Sequence, residues 1–170
     1  KDFKPDLLVL AGYILIISPL LCNHLSLINL HPALPNGPSG TWKEVIWDLI
    51  TQKATTSGAM VHLVTENVDE GAPLSYVSFP VRGNHFDEAW QQIEGQGKEA
   101  LQHHPGEELP LFQFIREAGV IRERPLLLET LKALATGKLS IINSNVVTAD
   151  GKKPPLCLNQ EVESVLGHHS

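Results

Sequence analysis

The stretch "LLVLAGYILIISPLLCNHLSLINLHP", Leu7 to Pro32, decides the fold. Its first part, Leu7–Leu21, follows Lys1 and Lys4 and has the composition of a signal peptide or membrane segment. The run is too short for a bilayer, which takes roughly 20 apolar residues in a row. Gly12 and the pair Ser18–Pro19 break it, and no small-residue cleavage site follows. It therefore reads as structure. Leu7–Leu10 is apolar without alternation, as a strand covered on both faces must be. Ser18 followed by Pro19 is an N-cap followed by the first helical position, which predicts a short helix over Pro19–His24. Leu27–Leu30 is the next strand. Two strands joined by a helical crossover form a βαβ unit and predict a parallel pair.

Working outward, the chain of 170 residues is long enough for one core, and its net charge of −6 gives no global field toward nucleic acid or anionic lipid. Cys22 and Cys157 stand far apart and read as reduced thiols rather than a disulfide framework. Thr41 with Glu44 is a capping box, and Trp42, Val45, Ile46, Leu49 and Ile50 form one apolar stripe of the helix it opens. Trp42 is expected in the core and Trp47 partly buried. Strands are expected over Gly58–Thr65 and Leu74–Val81. Helices are expected over Phe86–Leu101, Leu111–Ala118 and Pro125–Thr136, the last ended by Gly137. The loop Gln102–Pro110 reads as an insertion. Lys138–Ile142 reads as a last core strand, and Asn145–Leu158 as a hairpin turning at Asp150–Gly151. The tail Gly167–Ser170 reads as disordered. The alternation of strands and helices predicts an α/β fold: a mainly parallel, Rossmann-like sheet with flanking helices, plus a C-terminal hairpin extension. The expected division is a core over residues 1–142 and a hairpin and tail over 143–170.

In such sheets ligands bind at the carboxyl ends of strands. Asn29 and His31 stand at one such end, and Asp69 follows the strand that ends near Thr65. If they converge, the amide can donate to a carbonyl oxygen gaining charge, the imidazole can donate or shuttle a proton, and the carboxylate can orient the imidazole. That set suits attack on a carbonyl carbon by an external amine. The alternatives for the same residues are a strand-capping His31 and a turn-forming Asp69 ahead of Gly71. His62 reads as structural. His103–His104 and His168–His169 lack ligand spacing, so no metal is expected.

"PDLLVLAGYILIISPLL", "INLHPALP", "GAMVHLVTENVDEG" and "LLLETLKALATGKLSI" together resemble the folate-dependent formyltransferase family. That family carries Asn-x-His-Pro after a core strand and an Asp in a Val-Thr-x-x-x-Asp-x-Gly loop downstream. The resemblance covers most of residues 1–142 and implies the formyltransferase fold, here its C-terminal portion. It implies formyl transfer from 10-formyltetrahydrofolate, a co-substrate, to the amine of glycinamide ribonucleotide in purine biosynthesis. It implies Asn29, His31 and Asp69 as catalytic residues. Asn29 would stabilise the oxyanion, His31 would act as a charged donor or shuttle, and Asp69 would move the proton. It implies a pterin pocket lined by Tyr13, Ile14, Leu15, Ile16, Ile17, Val64, Thr65, Glu66 and Val68, and contacts to the ribonucleotide from Glu123 and Pro32. The implied partners are small molecules, with no nucleic acid and no membrane, in the cytoplasm. A nucleotide-binding half is expected upstream of Lys1, and an open sheet edge there is expected to bring two copies together.

The sequence departs from the family in four places. Leu15 stands where the family has an Arg, "EGAP" has one extra residue, and Gln91–Gln113 and the tail from Asn143 go beyond the core. The rival readings are a formyltetrahydrofolate hydrolase, another formyltransferase such as that of methionyl-tRNA, and a non-catalytic folate-binding module or inactive fragment. The hydrolases carry His-His where this chain has His31–Pro32. The tRNA enzymes carry a basic C-terminal domain.

Overall fold

The computed structural model describes residues 5–12, 17–67 and 69–167. Strand β1 (Leu8–Leu10) leads through helix α1 (Pro19–His24) to β2 (Leu27–His31), and the two strands pair in parallel with Leu10 beside Asn29. The βαβ reading of the opening stretch is therefore correct. Helix α2 (Trp42–Thr51) follows, then β3 (Thr56–Leu63) and β4 (Pro73–Pro80). Next come α3 (Asn84–Gln92), α4 (Lys98–His103), a 3-10 turn at Gly106–Glu108 and the long α5 (Pro110–Ala135). Strands β5 (Leu139–Ile142), β6 (Asn145–Thr148) and β7 (Leu156–Cys157) and helix α6 (Asn159–Gly167) complete the order.

The main sheet has the order β1-β2-β3-β4-β7. β1 and β2 are parallel, β3 is antiparallel to both β2 and β4, and β4 is parallel to β7. All the strands but β3 thus run the same way, which matches the expected mainly parallel sheet. β5 and β6 form a separate two-stranded ribbon.

The sequence reading splits α5 into two helices because Pro125 removes a backbone donor and crowds the preceding turn. The structure keeps one helix through it. Leu111, Phe112 and Ile115 on the first half are buried in one apolar cluster, and Leu126 and Ala133 on the second half in another. Burying a large apolar side chain gains about 1.5–3 kcal/mol, so these residues together outweigh the roughly 3 kcal/mol that an internal proline costs. The helix expected over Phe86–Leu101 is instead two: α3 stops at Gln92 with Ile93 as its cap, and the chain turns through left-handed Gly95 (φ +78) before α4.

The ribbon also differs from expectation. It turns at Asn143–Ser144, both left-handed, and not at Asp150–Gly151. Asn tolerates that geometry, so a two-residue turn forms without glycine. The segment expected as the second hairpin arm becomes β7 and joins β4. α6 was not expected. Asn159 anchors it by accepting from the Ser78 amide (2.9 Å) and donating to the Ser78 carbonyl (3.2 Å). Trp47 is buried against Phe112 (ring centroids 5.0 Å apart), while Trp42 at the helix start is half-buried, the reverse of the expected pair.

Side chains at alternate positions of β2 face opposite ways. Ile28 and Leu30 face the cluster that packs on the second half of α5. Asn29 and His31 face the other side, and the β2–β3 register places His62 and Met60 opposite them on that same face. After β3 the chain folds back on itself. The Leu63 amide donates to the Ala72 carbonyl (2.9 Å), and a β-carbon on Gly71 would lie 1.7 Å from the Leu63 carbonyl oxygen. Only glycine permits that approach. Replacing Gly71 by Ala is expected to lower stability by about 1–3 kcal/mol in urea unfolding, the usual range for overpacking. An unchanged midpoint would show that the loop can move aside freely.

Candidate active site

The fold-back delivers Asp69 to the face that carries Asn29 and His31. The sequence reading placed Asp69 at the carboxyl end of a parallel strand. β3 is reversed, so its carboxyl end lies at the opposite edge from that of β2. Asp69 arrives because the loop returns over the sheet, with Asp69 itself left-handed (φ +58).

The Asp69 carboxylate then meets three groups. Its Oδ2 lies 3.5 Å from Nδ1 of His31 and accepts from the Gly40 amide at 3.2 Å. Its Oδ1 lies 3.6 Å from Nε2 of His62. Both imidazoles are buried and the carboxylate is 10% exposed. A charge so far from water requires donors, which the Gly40 amide supplies and His31 supplies when its ring is doubly protonated. Gly40 is in place because the next residue, Thr41, starts α2. The Thr41 amide donates to Glu44 (2.7 Å), and Thr41 Oγ1 accepts from the Glu44 amide (3.4 Å). The Thr41 amide, together with the Thr41 hydroxyl that donates to the same Glu44 oxygen (2.8 Å), holds the Glu44 carboxyl below the usual carboxylate range.

Hydrogen-bond chemistry fixes the rings. A carbonyl oxygen can only accept. Nδ1 of His62 lies 2.8 Å from the Leu63 carbonyl, so it carries the proton. In the neutral ring Nε2 is then an acceptor, and it receives the Asn29 amide NH2 at 3.3 Å. This orients Asn29 with one amide hydrogen on His62. Burial pushes His62 below its usual basicity, against the pull of the Leu63 carbonyl and Asp69. Likewise Nε2 of His31 donates to the Pro38 carbonyl (2.9 Å), so the proline turn after His31 clamps the ring. The sequence reading missed the part His62 plays. Its only signal is parity: His62 stands opposite Asn29 once the β2–β3 register is known.

These groups floor a cleft of about 540 Å3. Of the residues expected in the site, Ile17, Asn29, His31, Pro32, Val64, Thr65, Glu66, Asp69 and Glu123 line it. Tyr13, Ile14, Leu15, Ile16 and Val68 lie outside the described residues. Trp42, Lys43 and Arg116, not singled out for the site by sequence, form the wall near Glu123. Arg116 donates to Glu123 (2.9 Å) and lies 4.5 Å from the Trp42 ring. The charged residues on the wall are Glu44, Glu66, Asp69 and Glu123 against Lys43 and Arg116, so this wall favours an uncharged or cationic portion of a ligand over an anionic group. Among the described residues no group of three His, Cys, Asp or Glu could hold a metal ion, and no helix is long and apolar enough to cross a membrane.

An open α/β sheet with a half-buried amide, two buried imidazoles and a carboxylate flooring a cleft is the architecture of a domain that binds a small organic molecule. Residues 1–102 match the family model described as formyl transferase, and the chain belongs to that family. It is 41% identical over 78 residues to phosphoribosylglycinamide formyltransferase of Saccharomyces cerevisiae, covering 42% of this chain and 36% of that protein. It is 38% identical over 96 residues to the protein of that name in Schizosaccharomyces pombe, covering 52% of this chain and 46% of that one. A solved phosphoribosylglycinamide formyltransferase from Coxiella burnetii superposes with a TM-score of 0.64 at 22% identity, over 90% of this chain and 61% of that one. The chain thus spans less than half the length of these two curated relatives.

The depressed basicity of His62 has a consequence for stability. The unfolded ring binds a proton near its ordinary value of 6.5, whereas the folded ring resists it. Stability contributed by the neutral ring is therefore present above that value and lost as pH falls below it. Urea midpoints are expected to drop between pH 7.5 and pH 5, and His62→Gln is expected to flatten that drop. Identical pH profiles would show that His62 does not titrate differently on folding.

Proposed function

We propose that the chain carries the catalytic part of a folate-dependent enzyme that moves a formyl group from 10-formyltetrahydrofolate to the amine of glycinamide ribonucleotide. The observation that carries this reading is the Asn29–His62–Asp69–His31 cluster at the floor of the cleft. It is supported by family membership and by the names of the relatives.

The chemistry follows from the hydrogen bonds. The acceptor amine attacks the formyl carbon, and the carbonyl oxygen gains negative charge. Asn29 has one amide hydrogen on His62 and a second to offer that oxygen. Asp69 takes the proton leaving the amine and returns it to the folate nitrogen as the old carbon–nitrogen bond breaks. His31 donates to Asp69 from Nδ1 as the doubly protonated imidazolium, its Nε2 proton remaining on the Pro38 carbonyl. Ile17, Val64, Thr65 and Glu66, which line the cleft, would hold the pterin, and Glu123 and Pro32, on the same lining, would hold the acceptor. The reaction uses two small molecules and no metal, and the setting is the cytoplasm. The open outer edge of β1, which pairs only with β2 among the described strands, is where two copies would associate.

Asp69→Asn removes the proton carrier and keeps the shape. Turnover of glycinamide ribonucleotide is expected to fall by about 10²–10⁴-fold while a tetrahydrofolate still binds. Full turnover in that variant would remove Asp69 from the reaction. Loss of folate binding would show that its role is to hold the cleft together.

A further inference from the structure

The wall beside Glu123 is built by residues that the proton chemistry does not use. Phe112, Arg116 and Glu123 stand at intervals of four and seven along α5, so all lie on one face of that helix. That face meets the start of α2. Phe112 packs on Trp42 (ring centroids 5.9 Å apart), and the Arg116 guanidinium sits 4.5 Å from the centre of the same indole. Nη1 of Arg116 donates to Oε1 of Glu123 at 2.9 Å. Both side chains are about a quarter exposed, toward the cleft that they line.

Two roles fit a cleft arginine: to hold an anion of the ligand, or to hold a carboxylate that itself reads the ligand. The local charge decides. Lys43, the other cation of this wall, is already paired with Glu107 at 2.5 Å. Arg116 is paired with Glu123, and the remaining charged side chains of the cleft are acids. An anionic group of the ligand placed against this wall would meet net negative charge. A hydroxyl or amine would meet an aimed carboxylate.

We propose that Arg116 is a specificity-determining positioning residue: seated on Trp42 and bonded to one oxygen of Glu123, it aims the other Glu123 oxygen at hydroxyl or amine hydrogens of the formyl acceptor. The proposal rests on the reading of the cleft as a formyltransferase site. A planar guanidinium on an indole has little freedom, and a bonded carboxylate inherits that restriction. Without Arg116, Glu123 would swing and the acceptor would lose an oriented hydrogen bond. The formyl donor, bound against Thr65 and Glu66, would not notice.

Two measurements test this. The first needs no ligand. Of the three tryptophans, Trp47 and Trp90 are buried, so Trp42 dominates quenching of emission by acrylamide. Arg116→Ala is expected to raise quenching about twofold and Glu123→Gln to raise it less, while Trp42→Phe removes the response. No change in the first two variants overturns the seat of Arg116 on Trp42 and with it the proposal. The second is calorimetric titration of the full chain with glycinamide ribonucleotide and, separately, with tetrahydrofolate. Arg116→Ala is expected to weaken the ribonucleotide about tenfold and leave the folate within twofold, with Arg116→Lys intermediate. Equal loss for both ligands, or loss for neither, overturns the proposal. A wild-type chain that binds folate and not the ribonucleotide also overturns it and leaves the donor half of the reading standing. A wild-type chain that binds neither overturns the proposed function itself.

Discussion

A mostly buried carboxylate holds the functional end of this domain together. Asp69 accepts from the Gly40 amide in the turn before α2 and meets His31 at the end of β2, while His62 of β3 lies alongside with its unprotonated Nε2 turned to Asn29. The end of β2, the turn before α2 and the loop after β3 are thereby fixed relative to one another. A carboxylate so removed from water is tolerated only while such partners surround it. Each partner is in turn fixed by a backbone carbonyl or a cap: Pro38 for His31, Leu63 for His62, and the Thr41–Glu44 box beside Gly40. The site is therefore organised from the backbone outward.

The scaffold behind it is asymmetric. One face of the sheet packs on the second half of α5 through Ile28, Val61, Leu126 and Ala133, and the first half of α5 packs on α2 through Phe112 and Trp47. One helix thus links the sheet to the cleft wall. That is the physical reason a helix with a proline at its centre persists. It also explains why Arg116 and Glu123, on the segment between the two clusters, reach the cleft.

Much of this was legible in the residues. The short apolar run with Ser18–Pro19 gave the βαβ unit, and Thr41 with Glu44 gave the start of α2, because caps and prolines act locally. Asn29, His31 and Asp69 could be named because each stands in a loop or strand end with a recognisable pattern. The direction of β3 was not legible. A strand buried along nearly its whole length, as β3 is, gives no local sign of its direction, and only long-range pairing reveals the reversal. His62 was undervalued for that reason, since its meaning depends on which residue lies opposite. Pro125 misled because local rules count the lost backbone bond and not the two clusters that the helix fills. The Asn143–Ser144 turn was overlooked because Asp150–Gly151 carries the stronger local signal.

The central claim is that His62 is held as the Nδ1–H tautomer, so that its Nε2 accepts from Asn29 and fixes the amide toward the cleft. Long-range nitrogen–proton correlation spectra of the histidine rings at pH 7.5 test it directly. The His62 ring is expected to show a protonated Nδ1 and an unprotonated Nε2, and the Nε2 resonance is expected to shift when Asn29 is replaced by Ala. A ring protonated on Nε2 alone, or a resonance indifferent to Asn29, would contradict it.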